Sequence, residues 1–139
     1  MPPPPIDGVL ETALYVNDLD RAVAFYADDL GRPLLLRNAR MAALDAGRRS
    51  VLLLFLRGAS ASDMATPGGT IPGHDGTGRL HMAFAIADAD YPAWQDHLTA
   101  RGIAITGEVR WPSGGRSLYV ADPDGHVIEM ATPGIWPVY

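Results

Sequence analysis

The sequence lacks two reactive residue types, since none of its 139 residues is cysteine or lysine. Without cysteine, the chain can form neither a disulfide framework nor a thiolate metal site. Without lysine, it has no amine side chain to serve as a Schiff-base nucleophile. All 11 of its basic residues are arginine.

Long apolar segments are also missing. The longest apolar run, at 51–56, is far too short to span a bilayer. The N-terminus reads Met-Pro-Pro-Pro-Pro-Ile and has neither the basic region nor the apolar stretch of a signal peptide. We therefore expect a cytoplasmic protein that makes no use of a membrane.

The chain also has no excess of basic charge. Its 16 acidic residues outnumber its 11 basic residues, and the formal net charge is −5. A surface that binds nucleic acid needs a basic excess, so this composition argues against such a partner. The hydrophobic share of 47% is enough to fill a core, and a charged share of 19% is not typical of a disordered chain. The length fits one domain, or two very small modules fused together.

The first half of the chain predicts one strand, one helix and three further strands. Asp18 is placed to cap the helix N-terminus, and Leu30-Gly31 to end it, because glycine tolerates the left-handed conformation of a helix cap. The predicted strands span 9–16, 34–37, 41–45 and 51–57.

The same pattern restarts in the second half, after a stretch rich in glycine and proline. It predicts strands at 80–86, 103–109, 116–121 and 127–131, with a helix after the first of them. Aligning Val16-Asn17-Asp18 with Ile86-Ala87-Asp88 gives a repeat of about 70 residues, which indicates a duplication. We therefore predict an α+β fold of two tandem βαβββ modules that form a curved mixed sheet around a central cavity. The predicted parts are a first module at 7–57, a linker or lid at 58–78 and a second module at 79–133.

Three polar side chains interrupt otherwise apolar strands. In the alignment of the halves Glu11 falls on His81, so we expect the two to face each other across the cleft between the modules. Glu129 lies in Val-Ile-Glu-Met, within the last strand. A carboxylate buried in a strand is costly unless it is paired or binds a cation. These residues are therefore the first candidates for a functional site.

Two motifs resemble the vicinal oxygen chelate superfamily, which includes glyoxalase I, bleomycin-resistance proteins and extradiol dioxygenases. One is the stretch 14–22, Leu-Tyr-Val-Asn-Asp-Leu-Asp-Arg-Ala, followed by Phe25-Tyr26. The other, at 119–129, contains an Asp-Pro-Asp-Gly turn that leads into the strand of Glu129. The resemblance covers about residues 7–133. It implies the two-module fold but does not choose among the chemistries of the superfamily.

The resemblance also implies where a metal would bind. Metal ligands of the superfamily come from the first and last strands of each module, and those slots here hold Glu11, His81, approximately Leu53, and Glu129. A glyoxalase-like member usually has glutamate where this chain has leucine, so that four-ligand set is incomplete. The remaining Glu11, His81 and Glu129 could hold one divalent ion and leave positions open for substrate.

The identity of the ion is open. Two carboxylates favour Mn²⁺, Fe²⁺ or Mg²⁺, whereas Ni²⁺, Co²⁺ and Zn²⁺ stay possible. The alternative is a metal-free pocket in which Glu11 and His81 bond to each other.

Four further residues carry weaker predictions. Tyr119 matches a position where some dioxygenases have an acid–base tyrosine, and it could equally be a core residue. Arg116 could bind an anionic group of the substrate, or be a solvated strand residue. His74, in the linker, could cover the cavity mouth or lie exposed in its loop. His126 follows the Asp-Gly turn, so we expect it to be exposed.

Three functions remain open at this point. The first is a metal-dependent lyase, isomerase, epimerase or transferase in which the metal binds vicinal oxygens of a small-molecule substrate. Glu11 or Glu129 could then double as the base if it leaves the metal, and Tyr119 could donate a proton to a bound oxyanion. The second is a metal-free protein that sequesters a molecule such as a bleomycin-type antibiotic. The third is an extradiol-type dioxygenase. Small members of the superfamily commonly dimerise, sometimes with modules exchanged, so we expect a homodimer.

Overall fold

The computed structural model describes all residues, 1–139, and its first half is a helix and a four-stranded sheet. Strand β1 leads into helix α1, whose chain continues through a π-helical turn at Ala24–Asp29. Three strands follow. The bounds are β1 Glu11–Val16, α1 Leu19–Val23, β2 Leu34–Arg37, β3 Met41–Gly47 and β4 Ser50–Leu56.

A small hairpin and a second helix-and-sheet unit make up the rest of the chain. The hairpin consists of β5 and β6, and a 3-10 turn at Asp88–Asp90 precedes helix α2. The bounds are β5 Met64–Thr66, β6 Gly69–Ile71, β7 His81–Ala85, α2 Tyr91–Ala100, β8 Ile105–Arg110, β9 Arg116–Ala121 and β10 Val127–Ala131.

The two large sheets have the same topology. Their strand orders are β1-β4-β3-β2 and β7-β10-β9-β8, and in each the first strand of the module pairs in parallel with the last. The predicted α+β fold of two βαβββ modules is confirmed. The pairings also fix which residues correspond, because Ala13 pairs with Leu53 in one sheet and Ala83 with Glu129 in the other. Leu53 therefore occupies the position in the first module that Glu129 has in the second.

The first helix begins and ends where the sequence predicts, but the pitch of its last part was not predicted. Asp18 accepts a hydrogen bond from the backbone N–H of Arg21, at 3.1 Å. The turn at Ala24–Asp29 is π-helical, so the N–H of Leu30 bonds to the carbonyl of Phe25. Gly31 then leaves the helix with φ of +71°. Local sequence signals mark the ends of a helix well, but they carry no information about a change of pitch within it.

Both modules share one hydrophobic core. Its buried residues come from α1, α2 and the inward faces of both sheets. Polar contacts join the modules as well, since the buried hydroxyl of Tyr26 donates to Asp122 at 2.7 Å. At the helices, Arg101 forms an ion pair with Asp29. No helix of the structure is long and apolar enough to cross a membrane.

The buried imidazole of His126 is the other main link between the modules. Its Nε2 donates to the carbonyl of Tyr15 on β1 at 2.7 Å, and its Nδ1 accepts the backbone N–H of Leu80 at 2.9 Å. The prediction that His126 is exposed is therefore wrong. The Asp-Gly turn is directed toward the other module rather than toward solvent, and turn chemistry alone does not reveal that direction.

Segment 58–78, predicted as a linker or lid, carries the β5–β6 hairpin and folds back onto the first module. The anchor is His74, whose Nδ1 lies 2.7 Å from the hydroxyl of Tyr15 and whose ring packs edge-on against Phe55. Burial, and secondarily the charge of Asp75, raises the pKa of Tyr15, so its hydroxyl keeps its proton for this contact.

Candidate functional site

The second sheet gathers polar side chains on one face. Glu129 on β10 pairs with Tyr119 on β9 and with Ala83 on β7, and paired residues share a face of a sheet. His81 lies two residues before Ala83, so it points to the same side. The opposite face of these strands, which includes Ile128 and Leu118, is buried in the core. The sheet therefore presents His81, Tyr119 and Glu129 together, away from the core.

The closest contact on this face joins His81 and Glu129. His81 Nε2 lies 3.3 Å from Glu129 Oε1, with the imidazole side chain 54% exposed and the carboxylate 10% exposed. His81 Nδ1 lies 2.9 Å from the carbonyl oxygen of Val127, which can only accept, so Nδ1 carries a proton. In the neutral imidazole, Nε2 then presents a lone pair to a carboxylate oxygen. This arrangement suits either a proton on Nε2 or a cation beside both atoms.

Ser117 and Trp111 hold the other oxygen of Glu129. The hydroxyl of Ser117 donates to Glu129 Oε2 at 2.5 Å, and it accepts the indole N–H of Trp111 at 2.8 Å. Ser117 is completely buried. A metal-binding side chain is usually oriented by hydrogen bonds of this kind from residues behind it. Neither residue was predicted from the sequence, although Ser117 lies two residues before Tyr119 on a predicted strand and so shares its face.

Tyr119 lies beside the pair, with its ring centroid 6.3 Å from that of His81. Burial, and next the negative charge of Glu129, raises the pKa of Tyr119. Its phenol therefore stays protonated at neutral pH and can donate a proton or a hydrogen bond.

Glu11 does not join this group within one chain. It lines a separate cavity together with residues of β7 such as Ala83 and Ala85, and neither His81 nor Glu129 lines that cavity. Nowhere in the chain do three His, Cys, Asp or Glu side chains come together as a group that could hold a metal ion. Glu11, His81 and Glu129 thus form no metal-binding group inside a single copy, and the facing of Glu11 and His81 stays a prediction.

Arg116 and His74 also lie elsewhere. Arg116 precedes Ser117, so it projects from the other face of β9, where it pairs with Asp88 at 3.0 Å and stacks over the ring of Tyr91. The structure therefore does not place it with His81 and Glu129. His74 contacts the first module at Tyr15 and is likewise apart from the pair.

The first module has apolar residues where the second has this polar cluster. By strand register, the counterpart of Glu129 is Leu53, that of Tyr119 is Ala43, and that of Ser117 is Met41. Glu11 alone, the counterpart of His81, is ionisable. The two modules thus offer two unlike half-sites, one polar and one apolar with a single carboxylate.

Comparison with known proteins agrees with this duplicated fold. The sequence profile of the Glyoxalase/Bleomycin resistance protein/Dioxygenase superfamily matches residues 8–130. The chain belongs to this superfamily. A solved structure of lactoylglutathione lyase from Agrobacterium tumefaciens is 33% identical, with a TM-score of 0.87, and the match covers 96% of this chain and 99% of that one.

Two curated members of the superfamily are similar in sequence. Metallothiol transferase FosB from Staphylococcus epidermidis is 29% identical over 128 residues, which cover 91% of this chain and 82% of that protein. Catechol-2,3-dioxygenase from Bacillus subtilis is 31% identical over 118 residues, or 84% of this chain, but the match spans only 38% of the dioxygenase. These relatives have different activities, so the likeness establishes the superfamily and not the reaction.

Proposed function

We propose that the chain is a divalent-metal-dependent enzyme of the lyase, isomerase or transferase type. The observation that carries this proposal is the contact between His81 Nε2 and Glu129 Oε1, with His81 Nδ1 already bonded to a backbone carbonyl. In the neutral imidazole, Nε2 of His81 and Oε1 of Glu129 are both acceptors. Their close approach is favourable when a cation binds both atoms. The relatives include a metallothiol transferase and a lactoylglutathione lyase, which supports this class of function.

The donor set on the face fits one divalent ion. It offers one imidazole nitrogen and one carboxylate, and a third ligand would complete the usual minimum for a catalytic metal site. When bound, the ion would supply Lewis acidity toward two vicinal oxygens of a substrate. Carboxylate ligands favour Mn²⁺, Fe²⁺ or Mg²⁺, and an imidazole also suits Ni²⁺, Co²⁺ or Zn²⁺.

The third ligand in this proposal is Glu11 from a second copy of the chain. Glu11 and His81 are both exposed in one copy, and so is Leu36 on the apolar face of the first sheet, at 53%. A homodimer that pairs the first module of one copy with the second module of the other would bury these faces. It would also bring the carboxylate of Glu11 to the His81–Glu129 pair.

The residues around the pair would then have separate roles in metal binding, orientation and proton donation. Glu129 and His81 hold the ion, and Ser117 keeps Glu129 oriented through its short hydrogen bond. The phenol of Tyr119, protonated at neutral pH, donates to an oxyanion that develops on the substrate. The apolar face around Leu53 and Ala43 contacts the carbon part of the substrate.

A metal-free binding protein is the second candidate, and the same contact supports it. If Nε2 of His81 is protonated, the imidazolium forms a direct ion pair with Glu129 and no metal is needed. An extradiol-type dioxygenase is the third, supported by Tyr119 and by the catechol dioxygenase relative. Oxygen consumption with catechols separates that activity from the first proposal.

Elemental analysis tests the proposal. The protein is purified without chelator or affinity tag, alongside Glu129→Ala and the control Glu108→Gln, which changes a glutamate bonded to Tyr91 and Gln95 instead. We expect near-stoichiometric divalent metal in the parent and the control, and loss of it from Glu129→Ala. No metal in the parent, with none taken up on titration, would overturn the proposal in favour of the metal-free pocket.

A further inference from the structure

The cavity that Glu11 lines is the other part of the fold that could take a ligand. Its volume is about 540 Å³, and its walls come from the start of β1, the β3–β4 hairpin, strand β7 and helix α2. Neither His81 nor Glu129 lines it. Cavities of this size accommodate a small organic molecule.

Two arginines without acidic partners line this cavity. Arg32 and Arg48 form none of the ion pairs of the chain, and neither guanidinium donates a hydrogen bond to another residue. The side chain of Arg32 extends to the β3–β4 hairpin and ends next to Gly47. A Cβ atom added to Gly47 would lie 3.9 Å from Arg32 Nη1. Neither guanidinium is therefore neutralised by a carboxylate, and both arginines line the cavity beside the β3–β4 hairpin.

The hairpin turn that carries Arg48 is sterically unfavourable. Arg48 and Arg49 have φ of +49° and +62°, a conformation in which glycine or asparagine is usual. The Arg48 guanidinium lies 4.9 Å from the ring centroid of Tyr139, whose hydroxyl donates to the carbonyl of Ile86 at 2.8 Å. The contact with Tyr139 holds the Arg48 guanidinium beside the turn. Left-handed backbone at residues other than glycine concentrates at functional sites.

The remaining lining is mostly apolar. Met82, Phe84 and Met130 contribute side chains from the second sheet, and Trp94 adds an aromatic ring from α2. Two carboxylates, Glu11 and Asp90, also line the cavity. They would repel a ligand with several negative charges, so a single anionic group on an apolar body suits the walls best.

We propose that this cavity binds a small organic monoanion, such as a medium-chain or aromatic carboxylate. The anionic group pairs with Arg32 and Arg48, because arginine binds carboxylates through two parallel hydrogen bonds. The apolar body packs against Phe84, Met130 and Trp94. This binding needs no metal, although Glu11, the third ligand proposed for the metal site, also lines the cavity.

Titration of the chelator-treated protein tests this proposal, with octanoate as the anion and octan-1-ol as its uncharged counterpart. Calorimetry and tryptophan fluorescence report binding, since Trp94 lies in the wall. We expect saturable binding of octanoate to the parent, at least tenfold tighter than that of octanol. Arg32→Gln and Arg48→Gln should each weaken octanoate at least tenfold and leave octanol unchanged.

Arg49→Gln is the matched control, because it removes the same charge from the same turn at a residue that does not line the cavity. Octanoate should bind this variant as it binds the parent. The proposal fails if octanoate does not saturate, if octanol binds equally well, or if Arg49→Gln weakens binding as much as Arg48→Gln. Because metal is absent throughout, none of these results bears on the metal site.

Discussion

Glu129 Oε1 lies 3.3 Å from His81 Nε2, and this contact joins the last strand of the second module to its first strand. It is supported on both sides. Val127 accepts from the far nitrogen of His81, and Ser117 donates to the far oxygen of Glu129. The pair is thus held in place before any ligand arrives, which is what a metal site or a fixed ion pair requires.

The role of Ser117 in orienting Glu129 can be tested by removing its hydroxyl group. Ser117→Ala deletes the short hydrogen bond and should weaken divalent metal binding by about 10- to 100-fold. Trp111→Phe, which removes only the donor to Ser117, should have a smaller effect in the same direction. Metal affinity is measured by competition with a chromogenic chelator. An affinity unchanged in Ser117→Ala would show that this hydrogen bond does not position the carboxylate.

The position of Leu53 predicts a gain of function. Because it corresponds to Glu129 in the other module, Leu53→Glu adds a carboxylate to the face that carries Glu11. We expect this variant to be less stable than the parent without metal, since the new carboxylate is partly buried, and to bind metal about tenfold more tightly. Leu53→Met is the apolar control. Thermal denaturation with and without metal gives the comparison, and an equal metal-induced rise in Tm for both variants would contradict the prediction.

The buried imidazole of His126 should matter for stability. His126→Ala leaves the carbonyl of Tyr15 and the N–H of Leu80 without a partner, which should cost about 2–4 kcal/mol in the free energy of unfolding. The control is His97→Ala, an exposed histidine bonded only to the carbonyl of Asp29, with an expected cost of about 0.5–1.5 kcal/mol. Urea denaturation measures both. Equal costs for the two variants would show that the contacts of His126 do not stabilise the fold.

Alkaline pH should lower the free energy of unfolding through the ionisation of Tyr91. Burial, followed by the hydrogen bond and the charge of Glu108, raises the pKa of Tyr91 to about 12 from its ordinary 10.0. The folded state therefore keeps a proton that the unfolded state loses. The resulting stability is fully present below about pH 10 and is lost as the pH rises toward about 12. The free energy of unfolding should fall more steeply over this range in the parent than in Tyr91→Phe, and parallel curves would refute the assignment.

Much of the fold could be predicted from the sequence because the strand and turn patterns of the first module recur in the second. The strand at Arg116–Ala121 and the strand at Val127–Ala131 have the predicted bounds, and Leu53 occupies its predicted slot by strand register. These features depend on hydrophobic alternation and on turn residues, which act locally. Strand alternation could also have shown that Arg116 and Tyr119, three residues apart, lie on opposite faces.

Local sequence signals could not predict contacts between residues that are far apart in the chain. The burial of His126 depends on a contact with Tyr15, 111 residues away in the chain. Whether Glu11 can meet the His81–Glu129 pair depends on how the two modules pack, and the repeat does not reveal this packing. Equivalent positions in a duplicated fold can meet within one chain or between two chains, and the same sequence pattern fits both arrangements.

The most direct test of the account is to mix two defective chains. Glu11→Ala and Glu129→Ala are co-expressed with different tags, and the dimers that carry both tags are isolated. If each site takes Glu11 from one copy and Glu129 from the other, every mixed dimer has one intact site and one doubly defective site. About one metal ion per mixed dimer should then bind, while each variant alone binds none, and an unfractionated equal mixture should recover about a quarter of the sites. Mixed dimers that bind no metal, or a protein that stays monomeric with metal bound, would contradict the shared site.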